Sequence, residues 1–246
     1  MIAILLAGGY AKRLWPITLN KPKTFLTVGG KPILDHLMEK ITKEKTIGRT
    51  IISTNLRFQP QFEDWLLKEK YENVALIPDE STSQSSKIGA VKALANIVST
   101  IDDDFIVLAA DSLFKDDLHG LLQFFHAKRS PTVALYSAPS LREVMRGSEV
   151  CIDESGKITE FVEKPGSPRS TLVGSCIFVF PAHIKDQLKK YIEMGQPQDN
   201  AGSFIEWLHK REPVYGFLLN QPLLDIGTVD AYRKGEKYMA GEEMGL

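Results

Sequence analysis

Four charged side chains stand where the sequence could turn them on a ligand: Arg13 and Lys23 behind a glycine pair, Asp111 and Asp225 at the ends of apolar runs. The stretch Leu6-Ala7-Gly8-Gly9-Tyr10-Ala11-Lys12-Arg13 follows an apolar run directly. Adjacent glycines let a backbone approach phosphate closely and aim bare N–H groups at it. Arg13 adds a planar fork for phosphate oxygens, and Lys23, ten residues on, adds a compact charge. Together they read as a polyphosphate site. Gly8-Gly9 alone read better as a turn that needs glycine only for its shape. The loop has neither the GxxxxGK[ST] nor the GxGxxG spacing, which weakens kinase-like and dinucleotide readings.

Asp111 follows Ala109-Ala110, and Asp225 follows Leu223-Leu224 and precedes Ile226-Gly227-Thr228. Carboxyl ends of strands are where α/β sheets place ligand-binding groups. Two such carboxylates could share magnesium, which takes oxygen ligands and keeps water and substrate phosphates in its shell. For either aspartate by itself a helix N-cap is an equal alternative. Glu163-Lys164-Pro165 read in isolation as an exposed charge pair closed by proline.

These residues need a scaffold of strand ends. Residues 2–7 form a short apolar run stopped by glycines, as in a sheet buried on both faces. Residues 32–45, 58–70 and 87–100 carry helical spacing, and 50–54, 74–77 and 105–110 read as strands. This alternation implies a doubly wound, Rossmann-like α/β sheet over about the first 130 residues. Beyond it, 132–138, 149–153, 157–162, 172–180 and 214–219 are strand candidates, with a hairpin turn at Gly156, whereas 184–192, 204–209 and 229–239 read as helices. The expectation is one mixed-sheet domain over 1–246, whose two halves, 1–130 and 131–246, differ in character. Residues 240–246 are expected to fray. Trp15, Trp65, Trp207 and the Phe124-Phe125 pair are assigned to packing.

The 246 residues hold 30 Lys plus Arg against 31 Asp plus Glu, a balance that argues against nucleic-acid binding through a broad basic surface. No apolar run suits a signal peptide or membrane span, so a cytoplasmic protein without membrane partners is expected. Cys151 and Cys176 are read as reduced structural thiols, and the five histidines lack metal-site spacing.

Over its whole length the glycine stretch resembles the amino-terminal signature of the sugar-1-phosphate nucleotidyltransferases, L-A-G-G-x-x-x-R-L-x-P-x-T-x-x-x-P-K. Leu6, Ala7, Gly8, Gly9, Arg13, Leu14, Pro16, Thr18, Pro22 and Lys23 fall in register. The resemblance implies that this loop wraps a nucleoside triphosphate, with backbone near Leu6, Gly8 and Gly9 touching the nucleotide and Arg13 and Lys23 holding the expelled pyrophosphate. It implies that Asp111 and Asp225 ligate Mg2+, that Glu163 accepts sugar hydroxyls, and that Lys164 meets the sugar phosphate. Gly89 matches a glycine that starts the third helix of the nucleotide site, but the Gly-Thr pair usual before it is absent, and serines 81, 83, 85 and 86 could meet a base or cap the helix. Ala11-Lys12 replace a common Gly-Thr, and the family's glycine before an aromatic strand falls on Cys176, leaving Gly174 as the candidate sugar contact. The expected partners are therefore a nucleoside triphosphate and a sugar 1-phosphate, with a homo-oligomer left open. A β-helix after the catalytic part is not expected. A cytidylyltransferase acting on phosphocholine and a catalytically silent nucleotide-binding regulatory subunit are the competing readings.

Overall fold

The protein is described as a computed structural model covering residues 1–241; residues 242–246, most of the expected fraying tail, lie outside the described residues. Its chain groups into two compact units. The first takes Met1–Ile88, Leu108–Lys115 and Leu223–Leu246, and the second takes Gly89–Val107 and Asp116–Pro222. The grouping does not follow a boundary at residue 130, because the chain returns: residues 224 and 225 pair with Leu113 and Ser112 and carry the last helix into the first unit.

In the first unit three parallel strands, Ile2–Leu6, Arg49–Asn55 and Val74–Asp79, pair with Arg49–Asn55 in the middle. Their residues are apolar and β-branched, and Ala3, Ile4, Leu5, Ile51 and Ile52 are fully buried, as a doubly covered parallel sheet requires. Residues 108 and 109 end the strand Phe105–Ala109, and the Ala110 N–H donates to the Leu6 carbonyl at 3.1 Å. The helices Ile33–Lys43 and Gln59–Glu69 supply the crossovers. Ile33, Leu34, Leu37, Met38 and Ile41 recur on one face of the former and are buried together.

A second small core closes this unit: Leu14, Leu26, Val28, Ile33, Leu113, Ile226 and Tyr238. It clamps the antiparallel two-residue ladder of Ser112–Leu113 and Leu224–Asp225. So short a ladder is not self-supporting in water. Burial of Leu113 and Ile226, about 2 kcal/mol each, holds it.

In the second unit Leu172–Phe180 pairs antiparallel with Thr132–Ser137, which pairs in parallel with Tyr215–Leu218. Ser148–Ile152 and Ile158–Glu163 form the expected hairpin, with Gly156 at a φ of +82° and the Asp153 carboxylate accepting from the Ser155 and Lys157 N–H groups. The helix Ala201–Leu208 packs on Ile184–Glu193 through Tyr191, Phe204 and Trp207, whose rings meet at 5.3–6.0 Å. Trp65, Trp207 and Phe125 fill cores as expected. Trp15 does not: it is 44% exposed, because the turn after Leu14 points its ring outward beside Lys12. Cys151 is half-buried with its thiol pushed up by burial, while Cys176 is exposed on its strand and is not a packing residue. No helix among the described residues is long and apolar enough to cross a membrane.

Candidate active site

The first unit gathers Arg13, Lys23, Asp111 and Asp225 around the turn that follows its first strand. Lys23 follows Pro22 in a single 3-10 turn, and only 14% of its side chain is accessible. Its Nζ donates to Asp111 Oδ2 and lies 3.8 Å from Asp225 Oδ1. The two carboxylates, from residues 114 positions apart, are brought level by the ladder, in which Asp225 stands opposite Ser112 and the Ile226 N–H donates to the Asp111 carbonyl at 3.1 Å. Desolvation by surrounding protein, and then the negative Asp111, push the Asp225 carboxyl up to about 6, against the pull of Lys23 and Arg13. Water still reaches 61% of that side chain, so the push is one-sided.

Each residue of Asp225-Ile226-Gly227-Thr228 has a distinct task. Ile226 is fully buried in the small core. A Cβ at Gly227 would stand 3.0 Å from Arg13 Nη2 and 3.2 Å from Asp225 Oδ2, so glycine here lets the guanidinium lie against the backbone beside the carboxylate. The Thr228 hydroxyl accepts from the Ala231 N–H at 3.1 Å and caps the helix Val229–Ala240. The capping alternative for Asp225 is thereby excluded, and Asp111, followed by a strand, caps no helix either.

The glycine turn is similarly specified. Gly8 sits between Asn55, whose Nδ2 donates to the Gly8 carbonyl at 3.0 Å, and Asp79, whose Oδ2 would lie 3.3 Å from a Cβ. A Cβ on Gly9 would meet nothing within 4 Å, so its backbone faces open space. The Tyr10 hydroxyl is buried and donates to the Ser81 carbonyl at 3.0 Å. Thr18 Oγ1 donates to the Ala11 carbonyl at 2.9 Å, fixing Ala11 in the left-handed region at φ 45°. That conformation is why glycine suits this position better than alanine.

In the second unit Glu163, Lys164 and Gly174 are neighbours. Glu163 is opposite Ser148 in the hairpin, and Ser148 Oγ donates to the Gly174 carbonyl at 3.2 Å. Gly174 is confined by packing, since a Cβ would come within 2.8 Å of the Phe161 ring and of Ser148 Oγ. Lys164 is held at φ 51° by a 2.8 Å bond from its N–H to the Gly147 carbonyl. Burial pushes the Glu163 carboxyl above the usual range, against the pull of Lys164 and Asn200. Asn200 works in two directions: its Nδ2 donates to Glu163 Oε1, while its Oδ1 accepts from the Gly202 N–H at 2.9 Å and caps Ala201–Leu208. A side chain on Gly202 would run into Glu163 Oε2. Gly89 is also in this unit, at φ +88° with its Cα against the Gln198 carbonyl, a backbone position only glycine fits.

Sequence reasoning missed Asn55 and Asp79, which end their strands as Asp111 follows its own, and Asn200, whose residue type is a strong N-cap. The strand-end rule that found Asp111 would have found the first two.

The two carboxylates offer an oxygen-only donor set, the ligand chemistry a hard divalent cation takes. Among the described residues no group of three or more metal-ligating side chains occurs, so such an ion would need ligands from substrate or water.

Comparison with known proteins follows the same lines. The nucleotidyl transferase family matches residues 2–241. The chain is 26% identical over 239 residues to the bifunctional protein GlmU of Methanocaldococcus jannaschii, covering 97% of this chain and 54% of that protein. It is 28% identical over 184 residues to the UTP–glucose-1-phosphate uridylyltransferase AglF of Haloferax volcanii, covering 75% and 73%. It is 27% identical over 235 residues to the mannose-1-phosphate guanylyltransferase catalytic subunit beta of Drosophila melanogaster, covering 95% and 61%. The chain spans about half the length of the first of these relatives. Among solved structures, a Bacillus anthracis protein provisionally named a glucose-1-phosphate thymidylyltransferase superposes with a TM-score of 0.84 at 22% identity, over 100% of this chain and 98% of that one. A UDP-glucose pyrophosphorylase crystallised with UDP-glucose gives 0.81 at 20%, over 98% of each. These likenesses show the fold, the doubly wound, Rossmann-like mixed α/β sheet expected from sequence, with no β-helix among the described residues.

Proposed function

The chain belongs to the nucleotidyl transferase family, and from that premise we propose that it joins a nucleoside triphosphate to a sugar 1-phosphate, giving a nucleoside diphosphate sugar and pyrophosphate. The observation that carries this reading is Lys23 held between Asp111 and Asp225 with Arg13 against Gly227. The attacking phosphate is already ionised at neutral pH, so no protein nucleophile is needed. The barrier lies in bringing two anions together in line and dispersing charge on the leaving pyrophosphate. The bare backbone at Gly8 and Gly9 receives the nucleotide, and Arg13 and Lys23 offer the leaving group two fixed cations. Asp111 and Asp225 would hold Mg2+, which when bound supplies charge neutralisation between the α-phosphate and the attacking oxygen. Glu163, positioned by Asn200, accepts sugar hydroxyls, and Lys164 binds the sugar phosphate.

The test is pyrophosphate release by the purified protein with Mg2+, pairing five nucleoside triphosphates with glucose, mannose and N-acetylglucosamine 1-phosphates and with phosphocholine. Release that requires one sugar phosphate and Mg2+ is the expected result. Release with phosphocholine alone, or with no acceptor dependence, would refute the proposal.

A further inference from the structure

The carboxyl edge of the first unit has an order that fixes a direction for any nucleotide lying on it. Asp111 stands on one side of Leu6, through the bond from the Ala110 N–H, and Asn55 and then Asp79 end the strands on the other side. Neighbouring strands are about 4.8 Å apart, so the strand ends that lead to Asp111 and carry Asp79 are separated by roughly 14 Å, three strand spacings. That matches the reach of a nucleotide from its phosphates to the far edge of its base. On the reading above, phosphates lie with Arg13, Lys23 and Asp111, and the base therefore lies toward Asp79.

Asp79 is held for such a task. Its Oδ1 accepts from the Ser81 N–H at 2.8 Å, and Ser81 is itself pinned by the buried Tyr10 hydroxyl. Its Oδ2 is turned against Gly8, where a Cβ would stand 3.3 Å from it, and it takes no hydrogen bond from any described residue. We infer that Asp79 reads the base of the nucleotide and selects guanine. An ionised carboxylate only accepts, and each oxygen can accept twice. Guanine presents two adjacent donors, N1–H and N2–H, to such a pair of oxygens. Uracil and thymine present one N–H flanked by two carbonyls, which the carboxylate repels. Adenine and cytosine pair their amino group with an acceptor nitrogen. Sites built to hydrogen-bond a substrate group discriminate strongly against analogues without it, because buried polar groups are then left unpaired.

The inference rests on the triphosphate reading, and its test separates the two. Binding of GTP, ITP, UTP, dTTP, ATP and CTP is measured by titration calorimetry with Mg2+ and no acceptor, on the wild-type protein and on Asp79→Asn. GTP is expected to bind at least tenfold more tightly than UTP or dTTP. ITP, which lacks only the N2 amino group, is expected to lose about tenfold against GTP. Asp79→Asn should reduce the GTP-to-UTP ratio at least tenfold while its melting temperature stays near that of wild type. UTP or dTTP binding as tightly as GTP in the wild type overturns the inference whether or not the variant folds. So does a GTP-to-UTP ratio unchanged in a folded variant. Guanine preference without any transfer would refute the proposed function and leave this inference standing, whereas transfer confined to UTP or dTTP would do the reverse. Failure of every triphosphate to bind overturns both.

Discussion

Asp225→Asn should make the metal-free protein more stable while cutting its turnover. The ionised Asp225 is held against Asp111, and its carboxyl is pushed up to about 6 from an ordinary 3.8. That gap corresponds to about 3 kcal/mol of penalty on the charged form. Because water reaches 61% of the side chain, screening reduces the figure to about 1 kcal/mol. The sign follows from proton linkage: with the folded value raised, the folded state binds the proton more tightly, and stability falls as pH rises from 3.8 to about 6. Above that window the full penalty is present, and asparagine removes it. For a chain of this size about 1 kcal/mol is a rise of about 2–4 °C in melting temperature. Differential scanning calorimetry in EDTA at pH 7.5 should show that rise, and at pH 5 a smaller one. With Mg2+ the order should reverse, since an ion at ten times its Kd stabilises the wild type by about 1.4 kcal/mol and the variant by much less. Turnover should drop by about 100-fold or more. A variant that melts lower than wild type in EDTA at pH 7.5 would refute the reasoning, because Asp225 would then be a structural carboxylate.

Three further outcomes are expected. Gly227→Ala puts a Cβ 3.0 Å from Arg13 Nη2 and should lower kcat/KM about tenfold or more with a small change in melting temperature, as steady-state kinetics beside a thermal melt would show. Ala11→Gly relieves a left-handed alanine and should raise stability by about 0.5 kcal/mol, the strain released less the added unfolded-state entropy, in a urea titration. Glu163→Gln removes a carboxyl whose raised folded value makes the wild type lose stability as pH climbs through and above 4.5. The variant should therefore match the wild type near pH 4 and melt higher at pH 7, while its KM for the sugar phosphate rises.

The parts of the fold that sequence makes legible are those where periodicity and chemistry agree. The apolar run Ile2–Leu6 ended by Gly8-Gly9, and the buried face of Ile33–Lys43, announce themselves by pattern. Asp111 and Asp225 are visible as acids at strand ends, but a helix N-cap explains either one equally well, and the family resemblance is what separates the two readings. What pattern reading does not reach are contacts made by two or three residues. The ladder joining Ser112–Leu113 to Leu224–Asp225 is too short to carry a period, yet it is what brings the two aspartates level. The helix Leu141–Val144 is equally short. The third helix begins at Ala90, not near 87, since Gly89 at φ +88° cannot be helical. The helix expected from 204 begins at Ala201, because Asn200 caps it. Asn200 is also the residue whose amide holds Glu163, a partnership between positions 37 apart that only the folded chain reveals.

The most direct measurement is phosphorus NMR of the complete reaction, following triphosphate, sugar 1-phosphate, pyrophosphate and any new diphosphate resonance together. The expected result is one nucleoside diphosphate sugar for each pyrophosphate released, with neither formed when the sugar phosphate is omitted and both slowed about 100-fold or more when Asp225 is replaced by Asn. Pyrophosphate or inorganic phosphate appearing without a sugar-linked diphosphate would contradict it.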